Sequence, residues 1–165
     1  MEGIVGMIKL ALGPHESREW LLCDGRVLGM TEAPELAALV GTKFGGEGKD
    51  GFRLPLLPPQ AEAHFLLKAR PGEGDAAYQG YVGQMVYWVG ESLPKNWEPC
   101  DGRLVKGAQY PVLQRVAAGP NAKTGPEEFF LPTVPELMPG VRCIICMEGI
   151  DPGAAPGAAE SDDDI

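Results

Sequence analysis

The chain has 165 residues, of which 23 are glycine and 16 are proline. These two residue types make up almost a quarter of the chain, and because both interrupt helices they exclude a helical bundle or a coiled coil. Apolar residues form 44% of the composition, which excludes a disordered chain. The net charge of −9 argues against direct nucleic-acid binding, which depends on basic residues. We therefore expect a mostly β fold with short helices.

The first half of the chain predicts five strands and one helix. Asp24-Gly25 indicates the tip of a β-hairpin, because both residues tolerate the positive φ angles of a tight turn. The helix has Pro34 in its first turn and Thr31 as its cap, and Gly41 ends it. The predicted strands cover residues 4–12, 20–23, 26–28, 52–55 and 64–68.

The second half of the chain repeats the first half at an offset of 77 residues. The run Trp-Leu-Leu-Cys-Asp-Gly-Arg at 20–26 returns as Trp-Glu-Pro-Cys-Asp-Gly-Arg at 97–103, and the Leu-Pro pair at 54–55 returns at 131–132. One register aligns the whole unit without a gap, which indicates a true duplication. The same elements are therefore predicted again, with strands over 81–89, 97–100, 103–105, 129–132 and 141–147 and a helix from near Pro111 to the stop at Gly119-Pro120.

This duplication predicts two domains, over residues 1–70 (unit 1) and 80–149 (unit 2), joined by a linker over 71–79. A flexible tail follows over 150–165, and it ends in four acidic residues that could dock on a basic patch of a neighbour. A unit of about 70 residues buries only about 60% of the surface of its unfolded chain, so it is marginal alone. We therefore expect the units to pack on each other, on copies of the chain or on an assembly. No stretch has the length and apolarity of a membrane span, and the N-terminus does not resemble a secretory leader.

The repeated motif residues favour a structural role over a chemical one. Trp20 and Trp97 could form a platform for sugar stacking, but a large ring on a small β domain is more often core. Cys23 and Cys100 fit small buried packing positions. The repeated carboxylates each precede a glycine in a turn, where Asp serves the local geometry. The motif consists of Trp20, Cys23, Asp24, Gly25, Leu54 and Pro55 in unit 1 and of Trp97, Cys100, Asp101, Gly102, Leu131 and Pro132 in unit 2.

Catalytic and metal sites are not expected. The two histidines, His15 and His64, are not repeated, and the serines lack the surroundings of a nucleophile. Cys143 and Cys146 could join Cys23 and Cys100 to hold a metal, but on a strand residues i and i+3 point to opposite faces. The sequence therefore predicts no enzyme activity, no metal and no cofactor.

Two loops are candidate interaction surfaces. Gly45-Gly46-Glu47-Gly48, between Lys43 and Lys49, superficially resembles a phosphate-binding loop but lacks the residue order and the following helix of one. Unit 2 has a different segment here, which includes Asn121 and Lys123. Because the units differ most at these loops, we expect the loops to contact different partners.

The order of these motifs resembles the phage tail collar domain, a family that includes collar regions of short tail fibres and microcystin-dependent-type proteins. Unit 1 carries Gly-Met-Ile at 6–8, Trp-x-x-Cys-Asp-Gly at 20–25, Gly-Thr-Lys-Phe-Gly-Gly-Glu-Gly at 41–48 and Phe-Arg-Leu-Pro at 52–55. Unit 2 keeps the Trp and Leu-Pro motifs but loses Gly-Gly-x-Gly. Both units lack the arginine-containing segment that usually follows Leu-Pro in the family.

The resemblance implies a non-enzymatic virion protein of the tail, made in the cytoplasm of the host bacterium, that joins parts such as fibre, baseplate or tail tip. Its expected partners are other tail proteins and copies of itself; three copies would present six similar units and could match a three-fold part to a six-fold one. The alternative is a receptor- or glycan-binding module that uses an exposed ring, Trp88 or a tyrosine, and the loop at 45–48 for host attachment. A third interpretation is a bacterial protein of the microcystin-dependent type.

Overall fold

The computed structural model describes residues 2–46, 48–49, 51–118 and 126–153. Its largest element is a six-stranded antiparallel sheet with the strand order β2-β5-β1-β6-β10-β7. The strands of this sheet are β1 (Met7–Leu12), β2 (Trp20–Leu22), β5 (Ala63–Lys68), β6 (Met85–Trp88), β7 (Trp97–Pro99) and β10 (Arg142–Cys146).

Two smaller ribbons and two α-helices complete the described structure. One ribbon pairs β3 (Val27–Leu28) with β4 (Phe52–Arg53), and the other pairs β8 (Leu104–Lys106) with β9 (Glu128–Phe130). The helices are α1 (Pro34–Val40) and α2 (Pro111–Ala118), and short 3-10 turns lie at Asp75–Ala77 and Gly107–Gln109. The expectation of a mostly β fold with short helices is confirmed.

The two units meet edge to edge within the six-stranded sheet. β1 of unit 1 pairs with β6 of unit 2, with Met7 opposite Trp88 and Ile8 opposite Tyr87. Each unit contributes three adjacent strands to the sheet. Counted outward from the seam, they are β1, β5 and β2 in unit 1 and their counterparts β6, β10 and β7 in unit 2. The expected packing of the units on each other is thus backbone pairing across a seam.

The predicted Asp-Gly hairpins are wrong in both units. β2 pairs with β5 and β3 pairs with β4, so the strands on either side of Asp24-Gly25 belong to different sheets. Instead of closing a hairpin, the two residues turn a corner, with Gly25 at φ 76°. Unit 2 turns the same corner at Asp101-Gly102, between β7 and β8. Only the glycine of each pair has the positive φ expected at a tight turn, and a turn residue does not decide which strands pair.

The gap-free alignment of the units also fails in their last strand. In unit 1, Cys23 donates its N–H to Phe65 O, whereas its counterpart Cys100 donates to Cys143 O, so the offset has grown from 77 to 78. Bridges pair Gln60 with Ala63 and Met138 with Val141, which also differ by 78. Unit 2 therefore carries one extra residue within 135–137. This insertion makes Cys146 the structural counterpart of Lys68.

The helix boundaries agree with the sequence at one end and differ at the other. Pro34 begins α1 and Gly41, at φ 55°, ends it. The N-cap position is Ala33, which forms no side-chain cap, so the prediction that Thr31 caps the helix is wrong. The predicted stop of α2 at Gly119-Pro120 lies outside the described residues.

Side chains alternate between the two faces of the six-stranded sheet. One face, the helix face, carries α1 over Ile8 and Leu67 in unit 1 and α2 over Cys143 and Ile145 in unit 2. The opposite face, the tryptophan face, is shared by both units. Its buried residues are Met7, Trp20, Leu66, Trp88, Trp97, Ile144 and Cys146.

The outermost strands of the sheet, β2 and β7, are both protected at their outer edges. Leu22 donates its N–H to the Glu16 carboxylate at 2.9 Å, and Trp20 donates its N–H to Ser17 Oγ at 3.1 Å. In unit 2 the counterpart of Leu22 is Pro99, which has no N–H to offer. Side-chain acceptors at β2 and a proline in β7 therefore discourage a further strand from pairing at either edge.

The repeated Trp-Cys-Asp-Gly motif as a candidate functional site

Both motif tryptophans belong to the core. Trp20 and Trp97 each expose only 5% of their surface on the tryptophan face. The Trp20 ring lies against Gly3, and the ammonium of Lys9 lies 4.1 Å from its centroid. The Trp97 ring lies so close to Gly80 that a Cβ there would be 2.6 Å from it. The core interpretation is confirmed, and neither ring forms a platform for a sugar.

The motif cysteines are small, buried packing residues on the helix face, as expected. Cys23 and Cys100 are almost fully buried, and burial raises the pKa of each thiol to about 12. Cys100, directly after β7, donates its N–H to Cys143 O on β10 at 3.0 Å, so these two cysteines lie opposite each other. The thiols of Cys23 and Cys100 are therefore protonated at neutral pH and poorly suited to act as nucleophiles.

The Asp-Gly-Arg corner is held by the same charged contacts in both units. Asp24 accepts a hydrogen bond from the Arg26 N–H at 3.0 Å, and Asp101 accepts one from the Arg103 N–H at 3.1 Å. The guanidinium of each arginine also pairs with its own aspartate and with a second acid, Glu16 or Glu98. The hydrogen bond from Arg26 lowers the pKa of Asp24. The carboxylates thus shape the corner and are held ionised, which is not the state of a general acid.

The Leu-Pro pairs continue this pattern with one difference between the units. Leu54 and Leu131 are buried in the cores of units 1 and 2. Their N–H groups donate to Arg26 O and Arg103 O at 2.9 Å, which ties each pair to its Asp-Gly-Arg corner. Pro55 is buried whereas Pro132 is exposed.

A buried charge that the sequence analysis missed lies beside Trp20. Lys68, at the end of β5, is fully buried, and its Nζ lies 2.9 Å from Asp75 Oδ1 and 3.5 Å from Glu19 Oε2. Asp75 belongs to the segment predicted as a linker, where it also accepts the Gly72 N–H at 2.7 Å. The available signal was a lysine that ends the otherwise apolar run of a strand next to the acid-rich linker.

The glycine loop of unit 1 lies at the surface, as a projecting turn would. Gly45, Gly46 and Gly48 all have positive φ, and a Cβ on Gly46 would approach Gly51 O to 2.9 Å. These glycines therefore serve a tight backbone turn. The remaining candidate loop residues, Glu47, Asn121 and Lys123, lie outside the described residues.

A cleft of about 380 Å³ opens where unit 2 crosses the loop of unit 1. The cations at this cleft already have backbone partners, since Lys43 donates to Val89 O and Arg142 donates to Gly90 O and Glu91 O. The cleft therefore reflects the joining of the units more than a site for an anion. Its lining residues are Lys43, Gly90, Glu91, Glu136, Pro139, Gly140 and Arg142.

The four cysteines do not converge. Cys143 points to the helix face and Cys146 to the tryptophan face, as expected from their spacing on a strand. Within the described ranges, no group of three or more His, Cys, Asp or Glu residues is arranged to hold a metal ion.

None of the helices in the described part of the chain has the length and hydropathy needed to cross a membrane.

The rings proposed for glycan contact differ in exposure. Trp88 exposes only 3% of its surface and packs on the tryptophan face, so this ring is not available to a ligand. Tyr81 exposes 54%, whereas Tyr78, Tyr87 and Tyr110 are half-buried. Of the rings named for this alternative, Tyr81 is therefore the one that is open to solvent.

Comparison with known proteins identifies the family of both units. The model of the phage tail collar domain matches residues 6–58 and again residues 83–134, which together cover more than half of the chain. Each match contains one copy of the Trp-x-x-Cys-Asp-Gly and Leu-Pro motifs. No curated protein and no solved structure gave a significant match. The chain therefore belongs to the phage tail collar domain family, as a tandem pair of collar domains with a structural role related to the phage tail.

Proposed function

We propose that this protein is a non-enzymatic virion component that connects parts of the tail, such as a fibre to the baseplate or tail tip. One observation carries the proposal: two collar units share a single sheet, so one chain presents two related surfaces in a defined arrangement. The motif residues of both units are used by the fold, in core packing and in charged corners. Contacts with partners would therefore use the surfaces on which the units differ.

The two ribbons illustrate how unequal these surfaces are. In unit 1 the cross-strand pair on the exposed side is Val27 and Arg53, whereas in unit 2 it is Leu104 and Phe130. Phe130 exposes 73% of its surface, which is unusual for so large an apolar side chain. One unit thus offers a cation where the other offers an aromatic ring. Such a difference suits a connector that binds two different neighbours.

The proposed partners are other tail proteins and further copies of the chain. Neither unit needs a cofactor or a catalytic residue for this role. Synthesis would take place in the cytoplasm of the host bacterium, where reduced thiols match the free cysteines of the structure. The chain would then be incorporated into the tail of the virion.

The second candidate function is recognition of a receptor or glycan on the host surface. The exposure of Tyr81 favours it, because an open aromatic ring can stack on a saccharide. The glycine loop at 45–48 would be the second contact. Among Trp88 and the four tyrosines, Tyr81 is therefore the residue to substitute when this alternative is tested.

Immunogold electron microscopy of purified particles tests the connector role directly. An antibody against this chain should label the tail, and the tagged chain should co-purify with tail proteins. Phe130→Glu should weaken this co-purification, whereas the matched control Leu56→Glu, at an exposed apolar residue of unit 1, should not. Particles without tail label would refute the proposal.

Glycan-array binding that Tyr81→Ala abolishes, with co-purification unchanged in Phe130→Glu, would favour recognition instead.

A further inference from the structure

The thiols of Cys100 and Cys143 lie side by side in the core of unit 2. The register of β7 and β10 pairs Pro99 with Ile144, and one step further along both strands it brings Cys100 opposite Cys143. Both side chains point to the helix face, where they are buried in one apolar cluster. The two thiols are hydrogen-bonded to each other. No other side chain therefore separates the two sulfur atoms.

This arrangement meets the geometric requirement of a disulfide bond. Residues that face each other on antiparallel strands have Cα atoms about 4.5–5.5 Å apart, and disulfides join cysteines whose Cα atoms are about 4.4–6.8 Å apart. The hydrogen bond from the Cys100 N–H to Cys143 O, at 3.0 Å, holds the two backbones at this spacing. All four cysteines belong to the described residues, and only these two are placed for a bond. Cys146 points to the tryptophan face, and Cys23 lies opposite Phe65 in unit 1.

Unit 1 fills the same place without a second thiol. The structural counterpart of Cys143 is Phe65, which lies opposite Cys23. Both residues of this unit 1 pair are buried in its core. A cysteine and a phenylalanine therefore satisfy the packing of a collar unit at this position. The second thiol of unit 2 can thus serve a purpose other than packing.

The two cysteines also mark the ends of one segment of unit 2. Cys100 directly follows β7, and Cys143 lies near the start of β10. Between them the chain forms β8, α2 and β9, and this segment carries the exposed pair Leu104 and Phe130. A bond between the cysteines would close the segment into a covalent loop and fix the base of the exposed ribbon.

We propose that Cys100 and Cys143 form a disulfide bond after the chain leaves the reducing cytoplasm, with a low-molecular-weight disulfide as the oxidant. The bond forms by thiol–disulfide exchange. The Cys143 thiolate attacks one sulfur of the oxidant and releases one small thiolate. The Cys100 thiolate then attacks the Cys143 sulfur of the mixed disulfide and releases the second. Two protein thiols are oxidised, and the oxidant is reduced to two small thiols, which take up the two protons.

Burial sets the rate of this exchange. It raises the pKa of both thiols, so few molecules carry a thiolate at neutral pH. The hydrogen bond with Cys100 acts against burial and lowers the pKa of Cys143, which makes Cys143 the first to react. Cys100 follows β7, an outermost strand of three residues, and local opening of this strand would admit the oxidant. We therefore expect oxidation over minutes to hours.

The inference rests on the proposed function for its biological setting, and it deepens that function by naming a covalent change that would follow export in the virion. The test compares the purified full chain before and after incubation with oxidised glutathione. The count of free thiols should fall from four to two. Oxidation should also raise the melting temperature by about 5–15 °C, because the bond constrains the unfolded chain. Excess reductant should reverse both changes.

Peptide mapping identifies the linked cysteines. Trypsin leaves Cys143 and Cys146 on one peptide, so the Cys146→Ala variant is mapped beside the wild type. Cys146→Ala is also the matched control, because this residue lies on the same strand but on the opposite face. It should still form the link to Cys100, whereas Cys143→Ala should keep its three thiols. Melts under reducing conditions show whether the variants fold, and the wild-type thiol count and melting shift do not depend on them.

Several results would overturn the inference. They are four free thiols in the wild type after prolonged oxidation, glutathione adducts without an internal link, a link that involves Cys23 or Cys146, and an oxidised chain that melts below the reduced one. Failure of the connector role would appear differently, as unlabelled tails despite a Cys100–Cys143 bond in the purified chain.

Discussion

Lys68 and Asp75 form an ion pair that ties the connection between the units to the tryptophan face of the sheet. The lysine ammonium is fully buried beneath Trp20, and its Nζ lies 2.9 Å from Asp75 Oδ1. Unit 2 has the neutral thiol of Cys146 at the equivalent position, where it is also fully buried. The duplication therefore keeps this position buried and changes its charge.

Removing the aspartate of this pair should lower the free energy of unfolding more than replacing the buried lysine by an apolar residue. Asp75→Ala leaves a buried ammonium with Glu19 at 3.5 Å as its nearest acid, and we expect a loss of about 3 kcal/mol in the free energy of unfolding. Lys68→Met replaces the cation by an apolar side chain of similar length and should cost clearly less. Chemical denaturation measures both, with Glu73→Gln in the same segment as a control. Equal losses in the two variants would contradict this prediction.

The same pair predicts a loss of stability in acid. Burial acts to raise the pKa of Asp75, but hydrogen bonds from the Gly72 N–H and from Lys68 outweigh it, so the pKa lies below its usual value. A carboxyl group with a lowered pKa in the folded state stabilises the fold above its unfolded pKa, and this contribution is lost as the pH falls. The free energy of unfolding should therefore decrease below about pH 4. The decrease should be shallower in Asp75→Asn, and an identical pH profile would refute this origin.

The thiols predict the opposite limit, a loss of stability in base. Burial raises the pKa of Cys23 to about 12, whereas an exposed thiol ionises near pH 8.5. The unfolded chain therefore releases this proton first, and the stability present at neutral pH is lost as the pH rises from about 9 towards 12. Cys23→Ala should lose less stability over this range than the wild type, as measured by urea titrations at several pH values. A parallel decline in both proteins would assign the effect to other groups.

The equivalent glycines Gly3 and Gly80 offer a matched test of packing against the motif tryptophans. A Cβ at Gly80 would lie 2.6 Å from the Trp97 ring, whereas a Cβ at Gly3 would lie 3.3 Å from the Trp20 ring. Gly80→Ala should therefore destabilise the protein by about 1–3 kcal/mol, the usual cost of overpacking, and Gly3→Ala by less. Thermal denaturation of the two variants measures the difference. The reverse order would show that the tryptophan environments differ from the ones described.

The shared sheet predicts that the two units unfold together. Val141 belongs to the sequence of unit 2 but is buried in the core of unit 1. Val141→Ala should cost about 2 kcal/mol and shift one common transition in both near- and far-UV circular dichroism. Val40→Ala in α1 is the control inside unit 1 and should shift the same transition. Two separate transitions, with only one moved by Val141→Ala, would show that the units unfold independently.

Much of each unit could be predicted from the sequence because its signals are local. The sequence predicts core tryptophans, and they are buried; Pro34 and Gly41 bound α1, and the spacing of Cys143 and Cys146 predicts the opposite faces on which they lie. The motifs that indicate the collar family lie within both matches of the family model. These features depend on a residue and its near neighbours, and the duplication supplied each of them twice.

The errors concern pairings between distant residues. Asp24-Gly25 has the chemistry of a hairpin turn, but the burial of Leu21 and Leu28 in one core is achieved with the two flanking strands in different sheets. The seam between β1 and β6 leaves no mark in the spacing of either strand. The extra residue within 135–137 is visible only through hydrogen bonds such as Cys100 N–H to Cys143 O. Thr31 failed as a cap because Ala33 occupies the N-cap position.

The protected outer edges of the sheet affect how copies of the chain can associate. The unpaired N–H and C=O groups of a bare edge strand can pair with another chain and start aggregation. Glu16 occupies the donor of Leu22 on one side, and Pro99 withholds a donor on the other. Growth strand by strand is thereby disfavoured in both directions, so that association is left to side-chain surfaces, which can be limited to a fixed number of copies.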